Sequence, residues 1–345
     1  MSDIRSALYL GVVTSLTAGP AFANNPDDPI TVGEPIIITA TRTAQTIDDI
    51  LASVTVITRE EIERRQVQSV QDVLRGVPGL GVANSGGLGK QSSVFLRGTN
   101  SDHVLVLTDG MRVASATAGT AAFEDIPIDQ IERIEIVRGP RASLYGSEAI
   151  GGVIQIFTRK GGGALKPSFS AGDGSHGTYK ISGGVSGGGD RAWFNLSASH
   201  LDTDGFNACR GQPFPAGGGC FTFEPDDDGY RNTSGAARAG YRFENGAEIE
   251  GHLLHAEGEN EFDQADNPPD LDQEFFHNFS DTVEQVVGGK LRFSPLVDWD
   301  VTMEGGRALN DLDSINNPSS TDVFNTERHS ISLQNDFSLS GSNGH

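Results

Sequence analysis

From Gly161 onward the chain is a succession of segments in which hydrophobic residues alternate with small or polar ones. Seven such segments, each of about ten residues, are TYKISGGVSG, RAWFNLSASHL, TSGAARAGYRF, AEIEGHLLHAE, QVVGGKLRF, DWDVTMEGGRAL and RHSISLQNDFSL. Successive side chains of a β-strand point to opposite faces, so this pattern predicts antiparallel strands. Short turns such as GGGD and ENG alternate with long acidic loops at 202–229 and 257–281. This arrangement is typical of a transmembrane β-barrel.

A soluble β-sandwich is the alternative for these strands. Two packed sheets would require larger apolar groups on the facing sides, whereas here one face is rich in Gly and other small residues. That face suits the lumen of a wide barrel. We count about eight strands, too few to close a barrel that holds another domain. Since no segment offers the roughly 18 apolar residues of a membrane helix, contact with a membrane would have to be made by a barrel.

The N-terminal residues 1–23 are predicted to be a secretory signal peptide. Arg5 supplies a positive charge, Ala7 to Ala18 form an apolar stretch, and Ala21-Phe22-Ala23 is a small-x-small cleavage site. An uncleaved apolar N-terminus is the competing interpretation. Residues 24–52 are predicted to be a flexible leader, in which the β-prone run 34–40 is either an edge strand or a peptide that docks on a partner's sheet edge.

Residues 53–162 predict one small α+β domain. SVTVIT is a strand, and Thr58-Arg59-Glu60-Glu61 fits a capping box that begins a helix. A second helix is predicted from Ser69 to Arg75. Further strands are predicted at Gly81 to Ser85, Ser92 to Leu96, Val104 to Leu107, Ile131 to Val137 and Gly152 to Thr158.

Charge is distributed unevenly along the chain, whose formal net charge is −22. Residues 166–345 carry 29 Asp and Glu against 11 Lys and Arg, so this part is not expected to bind nucleic acid or an anionic membrane surface. Cys209 and Cys220 bracket a Gly/Pro loop. In an oxidising compartment they are expected to form one disulfide.

Patterns of catalysis are absent from the sequence. Gly86-Gly87-Leu88-Gly89-Lys90-Gln91 lacks the spacing and the hydroxyl of a phosphate loop, and neither HExxH nor GxSxG occurs. The protein is therefore not expected to be an enzyme. Two Arg-Gly pairs, Arg97-Gly98 and Arg138-Gly139, end strands at tight turns, and a buried guanidinium there would need fixed acceptors such as Glu132 or Glu135.

The acidic loops offer hard oxygen ligands. Glu224, Asp226 and Asp228 occupy alternate positions before a glycine, and nine Asp and Glu with no Lys or Arg lie between Glu257 and Asp281. Such loops suit calcium. A solvated acidic loop is the competing interpretation.

The segments EPIIITATR, SVQDVLRGVPGL, SSVFLRGTNSDHVLVLTDGMRV and IERIEIVRGPRASLYGSEAIGGVIQIFTRKG together resemble the plug domain of TonB-dependent outer-membrane receptors. The resemblance covers about residues 34 to 160 and is strongest to the receptors for cobalamin. It implies an α+β plug (53–162) followed by transmembrane antiparallel β-barrel strands (163–345), about eight of the 22 that enclose such a plug. The chain is accordingly expected to be an N-terminal fragment or a truncated product.

The resemblance also implies a function. A scarce nutrient, cobalamin or another corrinoid, would be imported across the outer membrane of a Gram-negative bacterium by force from TonB, with ExbB and ExbD. A ferric siderophore, or ligand sensing without transport, is the alternative. The family's TonB box corresponds to Glu34, Pro35, Ile36, Ile37, Ile38, Thr39 and Ala40, and its substrate contacts to Gln91, Ser93, Asn100, Thr117 and Ala118. Its calcium ligands correspond to Glu224, Asp226, Asp228, Phe262, Asp263 and Asp281.

Overall fold

The computed structural model describes residues 37–38, 45–46, 53–117, 119–208, 226–263, 278–317 and 320–338. All of them belong to one compact unit, Ile36–His345. The predicted signal peptide and the two cysteines lie outside the described residues. Among the described residues, no helix is both long and apolar enough to cross a membrane.

The first part of the chain forms short strands and helices, as predicted. In chain order these are β1 (Ile37–Ile38), β2 (Gln45–Thr46), β3 (Ser53–Thr58), α1 (Arg59–Arg65), α2 (Val70–Arg75), β4 (Leu80–Asn84), β5 (Ser92–Leu96), β6 (Val104–Thr108), β7 (Met111–Arg112), β8 (Ile131–Arg138), α3 (Ala142–Tyr145) and β9 (Gly152–Thr158), with 3-10 helices at Ser101–His103 and Ile128–Gln130.

A mixed five-stranded sheet is the centre of this domain. Its order is β3-β8-β9-β6-β7, with β6 and β9 parallel and the other neighbours antiparallel. The five residues of β6, VLVLT, are all buried, as expected for a strand that is covered on both faces. Strand β3 lies at one edge of the sheet, and β4 and β5 form a separate hairpin.

The two longer helices begin at the predicted caps. The Thr58 hydroxyl accepts the Glu61 N–H at 3.3 Å, and the Ser69 hydroxyl accepts the Asp72 N–H at 3.3 Å, so each cap satisfies one amide that the helix leaves without a partner. Helix α2 buries Val70, Val73 and Leu74 completely.

The second part of the chain is one antiparallel sheet of eight strands, not two packed sheets. We call it the wall. Each strand pairs with the next, and their bounds are β10 (Lys166–Asp173), β11 (Tyr179–Gly188), β12 (Ala192–Thr203), β13 (Tyr230–Arg242), β14 (Glu248–Glu261), β15 (Phe279–Leu296), β16 (Trp299–Asn317) and β17 (Ser320–Phe337).

The wall carries apolar side chains on its outer face and polar side chains on its inner face, the reverse of a sheet in a soluble protein. Leu196 is 51% and Ile331 83% exposed on the outer face, whereas Asn195, Ser199 and Ser234 are under 9% exposed on the inner face. Apolar side chains toward the surroundings and polar ones toward the interior are expected of a barrel wall in lipid. The apolar core of the first domain continues onto this inner face through Ala236, Leu254, Val286 and Ala308. The first domain is therefore packed against the inside of the wall, in the position of a plug.

All seven alternating segments are confirmed as strands β11 to β17. The prediction missed β10 and underestimated the length of the later strands, which reach 18 and 19 residues in β15 and β16. Their far ends are rich in Asp, Asn and Glu, which resemble loop sequence when alternation is the criterion.

Candidate functional site

Three turns of the plug meet on one surface, which we call the apex: residues 85–91, 100–103 and 113–124. The Ser92 N–H donates to Glu124 Oε2 at 3.1 Å, joining the first turn to the third. A side-chain atom added at Gly119 would lie 3.1 Å from Asp102 Cβ, so the third turn also packs on the second. The sequence separates these turns, and the sheet brings them together.

Three of the five predicted substrate contacts, Gln91, Asn100 and Thr117, lie on this surface, and Ser93 is in the adjacent strand β5. Gln91, Asn100 and Thr117 are exposed and Ser93 is half-buried, while Ala118 lies outside the described residues. Exposure makes the first three accessible to a ligand from outside. Their role stays a prediction.

Lys90 anchors the apex to the wall. It is 5% exposed, and its Nζ donates to Gly229 O at 3.2 Å, to Asn260 Oδ1 at 2.7 Å and, by a shorter contact, to Glu261 O. Burial lowers the pKa of Lys90, while the nearby carboxylates of Asp228, Glu261 and Asp263 act to raise it. The acceptors belong to the beginning of β13 and the end of β14, where the two acidic loops are rooted. From the sequence, Lys90 is notable only as part of a Gly-rich segment that lacks the spacing of a phosphate loop.

Two of the predicted calcium ligands, Asp228 and Asp263, lie near this lysine. Asp228 Oδ2 accepts the Ala208 N–H at 2.9 Å, and the ammonium of Lys90 lies among the carboxylates. Within the described part of the chain, no group of three or more His, Cys, Asp or Glu is arranged to hold a metal ion. Because Glu224 lies outside the described residues, the full set of six ligands stays a prediction.

A buried acidic pair lies beneath the third turn. Desolvation, followed by the charge of Asp125, raises the pKa of Glu124 to about 8, and desolvation raises the pKa of Asp125 to about 6. The Tyr230 hydroxyl lies 3.1 Å from Asp125 Oδ1 and 3.0 Å from Glu124 O, and its one proton is shared between these two acceptors. Asn232 Nδ2 donates to Asp125 O at 3.3 Å. Strand β13 thus holds this turn by hydrogen bonds. The bond from Tyr230 lowers the pKa of Asp125, but burial raises it by more.

A second contact between plug and wall is an ion pair. Arg238 Nη2 lies 3.0 Å from Asp109 Oδ1, and its Nε donates to Glu250 Oε1 at 3.1 Å. Its Nη1 donates to Thr158 O at 2.7 Å. The side chains of Arg238 and Asp109 are only 10% and 1% exposed. Asp109 is held at φ +47° in the turn between β6 and β7, so the turn itself presents the carboxylate to the wall. No local sequence signal predicts a pair so far apart along the chain.

Arg138 of the second Arg-Gly turn has partners other than those considered from sequence. Arg138 donates to the hydroxyls of Ser53 (2.7 Å) and Thr55, whereas Glu135 pairs with Arg133 at 2.8 Å. The guanidinium of Arg138 also lies near that of Arg97, which lowers its pKa further after desolvation. Arg138 therefore fastens the edge strand β3.

The predicted TonB box is only partly described. Ile37 and Ile38 form β1, whose backbone pairs with Thr46 and Gln45 of β2. The other five residues of the predicted TonB box lie outside the described residues.

A cavity of about 710 Å³ lies between α1 and strands β10 to β12. Arg59, Gln130, Lys180 and several Ser and Gly residues line it, and none of the four predicted substrate contacts that the structure describes does. Lys180 and Arg59 are already paired there with Asp129 and Glu63, at 2.8 and 2.7 Å.

Comparison with known proteins identifies the class of protein to which this architecture belongs. Residues 46–153 match the family model of the TonB-dependent receptor plug domain. The structure is similar to a ferric enterobactin receptor (PfeA) mutant from Pseudomonas aeruginosa (TM-score 0.66, 19% identity, 87% of this chain and 47% of that one). It is also similar to the siderophore receptor PirA from Acinetobacter baumannii (TM-score 0.65, 18% identity, 82% and 45%). The chain therefore carries the plug and part of the barrel wall of a TonB-dependent receptor.

Within this class, the chain is similar in sequence to vitamin B12 transporters. The transporter BtuB of Photobacterium profundum is 39% identical over 240 residues, which are 69% of this chain and 38% of that protein. BtuB of Vibrio cholerae serotype O1 is 40% identical over 205 residues, 59% and 33% of the two chains. The chain thus spans between a third and two fifths of the length of these relatives.

Proposed function

We propose that this chain is part of an outer-membrane receptor that imports a corrinoid. The observation that carries the proposal is the 39% identity over 240 residues with a vitamin B12 transporter. The exposed side chains of Gln91, Asn100 and Thr117 on the apex support it. They offer amide and hydroxyl groups, which suit the amide-bearing periphery of a corrinoid.

Import would be driven through the leader. The backbone of a short strand such as β1 can pair with a partner's sheet edge, and the several hydrogen bonds of such a pairing share a load. The partner in this proposal is TonB, acting with ExbB and ExbD, and the barrel wall is embedded in the outer membrane of a Gram-negative bacterium. No catalytic step is needed.

The proposal is tested by titrating the purified receptor with cyanocobalamin and, separately, with several ferric siderophores. We expect saturable binding of cyanocobalamin that weakens in Asn100→Ala. The matched control is Glu60→Ala, an exposed substitution in α1 outside the apex, which should bind as the wild type does. Saturable binding of a siderophore with none of cyanocobalamin would overturn the corrinoid assignment and favour the siderophore alternative.

A further inference from the structure

The three glycines of the turn at 86–89 lie close to residues that follow β12 or begin β13. A Cβ added at Gly87 would lie 3.0 Å from the ring of Phe206, and one added at Gly86 would lie 2.9 Å from Ala208 Cβ. At Gly89 the same atom would overlap the ring of Tyr230 at 2.0 Å. Only glycines permit this approach, and it places the next residue, Lys90, between the roots of the two acidic loops.

The acceptors around Lys90 match an ammonium group. A charged lysine has three N–H donors and no acceptor. Here the three donors are matched by Gly229 O, Asn260 Oδ1 and Glu261 O. Asn260 and Glu261 are in β14 and Gly229 immediately precedes β13, while the lysine is on the plug.

The loop roots are also tied to each other around this nitrogen. The Gly229 N–H donates to Glu261 Oε2 at 2.8 Å, and the Glu261 N–H donates to Gly229 O at 3.1 Å. Gly229 O therefore accepts from both the amide of Glu261 and the ammonium of Lys90. A positive charge at this point offsets the repulsion among Asp228, Glu261 and Asp263, which otherwise favours separation of the roots.

We propose that Lys90 is a built-in cation that holds the roots of both acidic loops to each other and to the plug, so that these roots are fixed without a bound metal ion. A divalent cation could neutralise the same carboxylates, but it would not connect them to the plug. Lys90 does both. It is also adjacent in sequence to Gln91, so the residue that fixes the loop roots and a residue exposed at the apex share one turn. Lys90 acts through the loop roots and is a positioning residue.

The inference is tested first without any corrinoid, by amide hydrogen exchange of the receptor in detergent. Peptides that contain the amides of Gly229, Glu261 and Phe262 are followed in chelator and in millimolar calcium. The wild type should exchange equally slowly in both buffers. Lys90→Gln should exchange at least tenfold faster in chelator and recover in calcium, because an added ion then supplies the missing charge. Lys166→Gln, on an exposed position of β10, is the control and should match the wild type.

Peptides from β8, in the plug core, report whether the variant is folded. If Lys90→Gln loses protection there too, the wild type decides. Loss of loop-root protection by the wild type in chelator would show that a metal ion and not Lys90 fixes the roots. Unchanged exchange of a folded Lys90→Gln in chelator would equally overturn the proposal.

Cyanocobalamin binding is measured separately, because the consequence for the ligand rests on the proposed function. Lys90→Gln should bind it at least tenfold more weakly in chelator than in calcium, whereas the wild type should not distinguish the two buffers. If cyanocobalamin does not bind the wild type at all, the corrinoid assignment fails while the exchange result still decides the role of Lys90.

Discussion

The ion pair between Arg238 and Asp109 predicts how firmly the plug is held. Replacing Arg238 with Gln leaves the carboxylate of Asp109 buried without its cation. Removing one member of a buried pair typically costs about 3–5 kcal/mol. Asp109 keeps two other donors, the Thr158 N–H at 3.1 Å and the Thr158 hydroxyl at 2.5 Å. We therefore expect the lower end of that range, about 3 kcal/mol.

The loss should fall on the attachment of the plug, since Asp109 and Thr158 belong to the plug and Arg238 to the wall. Amide hydrogen exchange measures the free energy of such local opening. About 3 kcal/mol corresponds to roughly a hundredfold faster exchange, to be observed in peptides of β6 and β9 in the receptor in detergent.

The matched control is Arg242→Gln on the same strand. Arg242 pairs with Glu248 at 3.0 Å but is 58% exposed, so its loss should cost under about 1 kcal/mol. The reasoning is refuted if Arg238→Gln accelerates exchange no more than Arg242→Gln does. The double variant with Asp109→Asn adds a second criterion, because a coupling energy near zero would mean that the two side chains do not stabilise each other.

Three further predictions follow from other contacts. Because the pKa of Glu124 is raised to about 8, the folded receptor binds a proton that the unfolded chain releases near pH 4.5. Stability should therefore fall as the pH rises from about 4.5 to 8 and then level off; Glu124→Gln should flatten this decline in thermal unfolding in detergent, and an equal slope in both proteins would contradict the assignment. Gly89→Ala, at φ +73° and against Tyr230, should lower the free energy of unfolding by more than about 1 kcal/mol, whereas Gly162→Ala, with open space around it, should change it little. Ile37→Pro should abolish uptake and leave cyanocobalamin affinity intact, because proline removes a donor needed for strand pairing; joint loss of both would argue against a docking role.

Local patterns predict most of the elements and few of the contacts that make the site. Alternation and caps depend on neighbours in sequence, so β11 to β17 and the starts of α1 and α2 are predicted well. Strand β10, KPSFSAGD, is missed because Phe169 is its only large apolar residue, so the alternation of Pro167, Phe169 and Ala171 with small residues is a weak signal. All eight of its residues are exposed. The contacts that join plug to wall span 139 or more residues for Lys90 and 80 or more for Arg238. Such contacts are set by how the plug lies inside the wall, and no periodicity in either part encodes them.

The edge position of β3 has a mechanical consequence. The leader enters the plug at Ser53, and this residue pairs with Arg138 at the end of β8, the first of six successive pairs that end at Thr58 and Arg133. Tension applied at Ser53 and perpendicular to the strand would break the residue pairs of β3 and β8 one after another. The hydroxyl contacts of Arg138 with Ser53 and Thr55 would break first. Strands β8, β9 and β6 would keep their mutual pairing meanwhile. Strand β3 can therefore separate from the edge of the sheet one residue pair at a time. This requires a lower peak force than breaking all six pairs at once would.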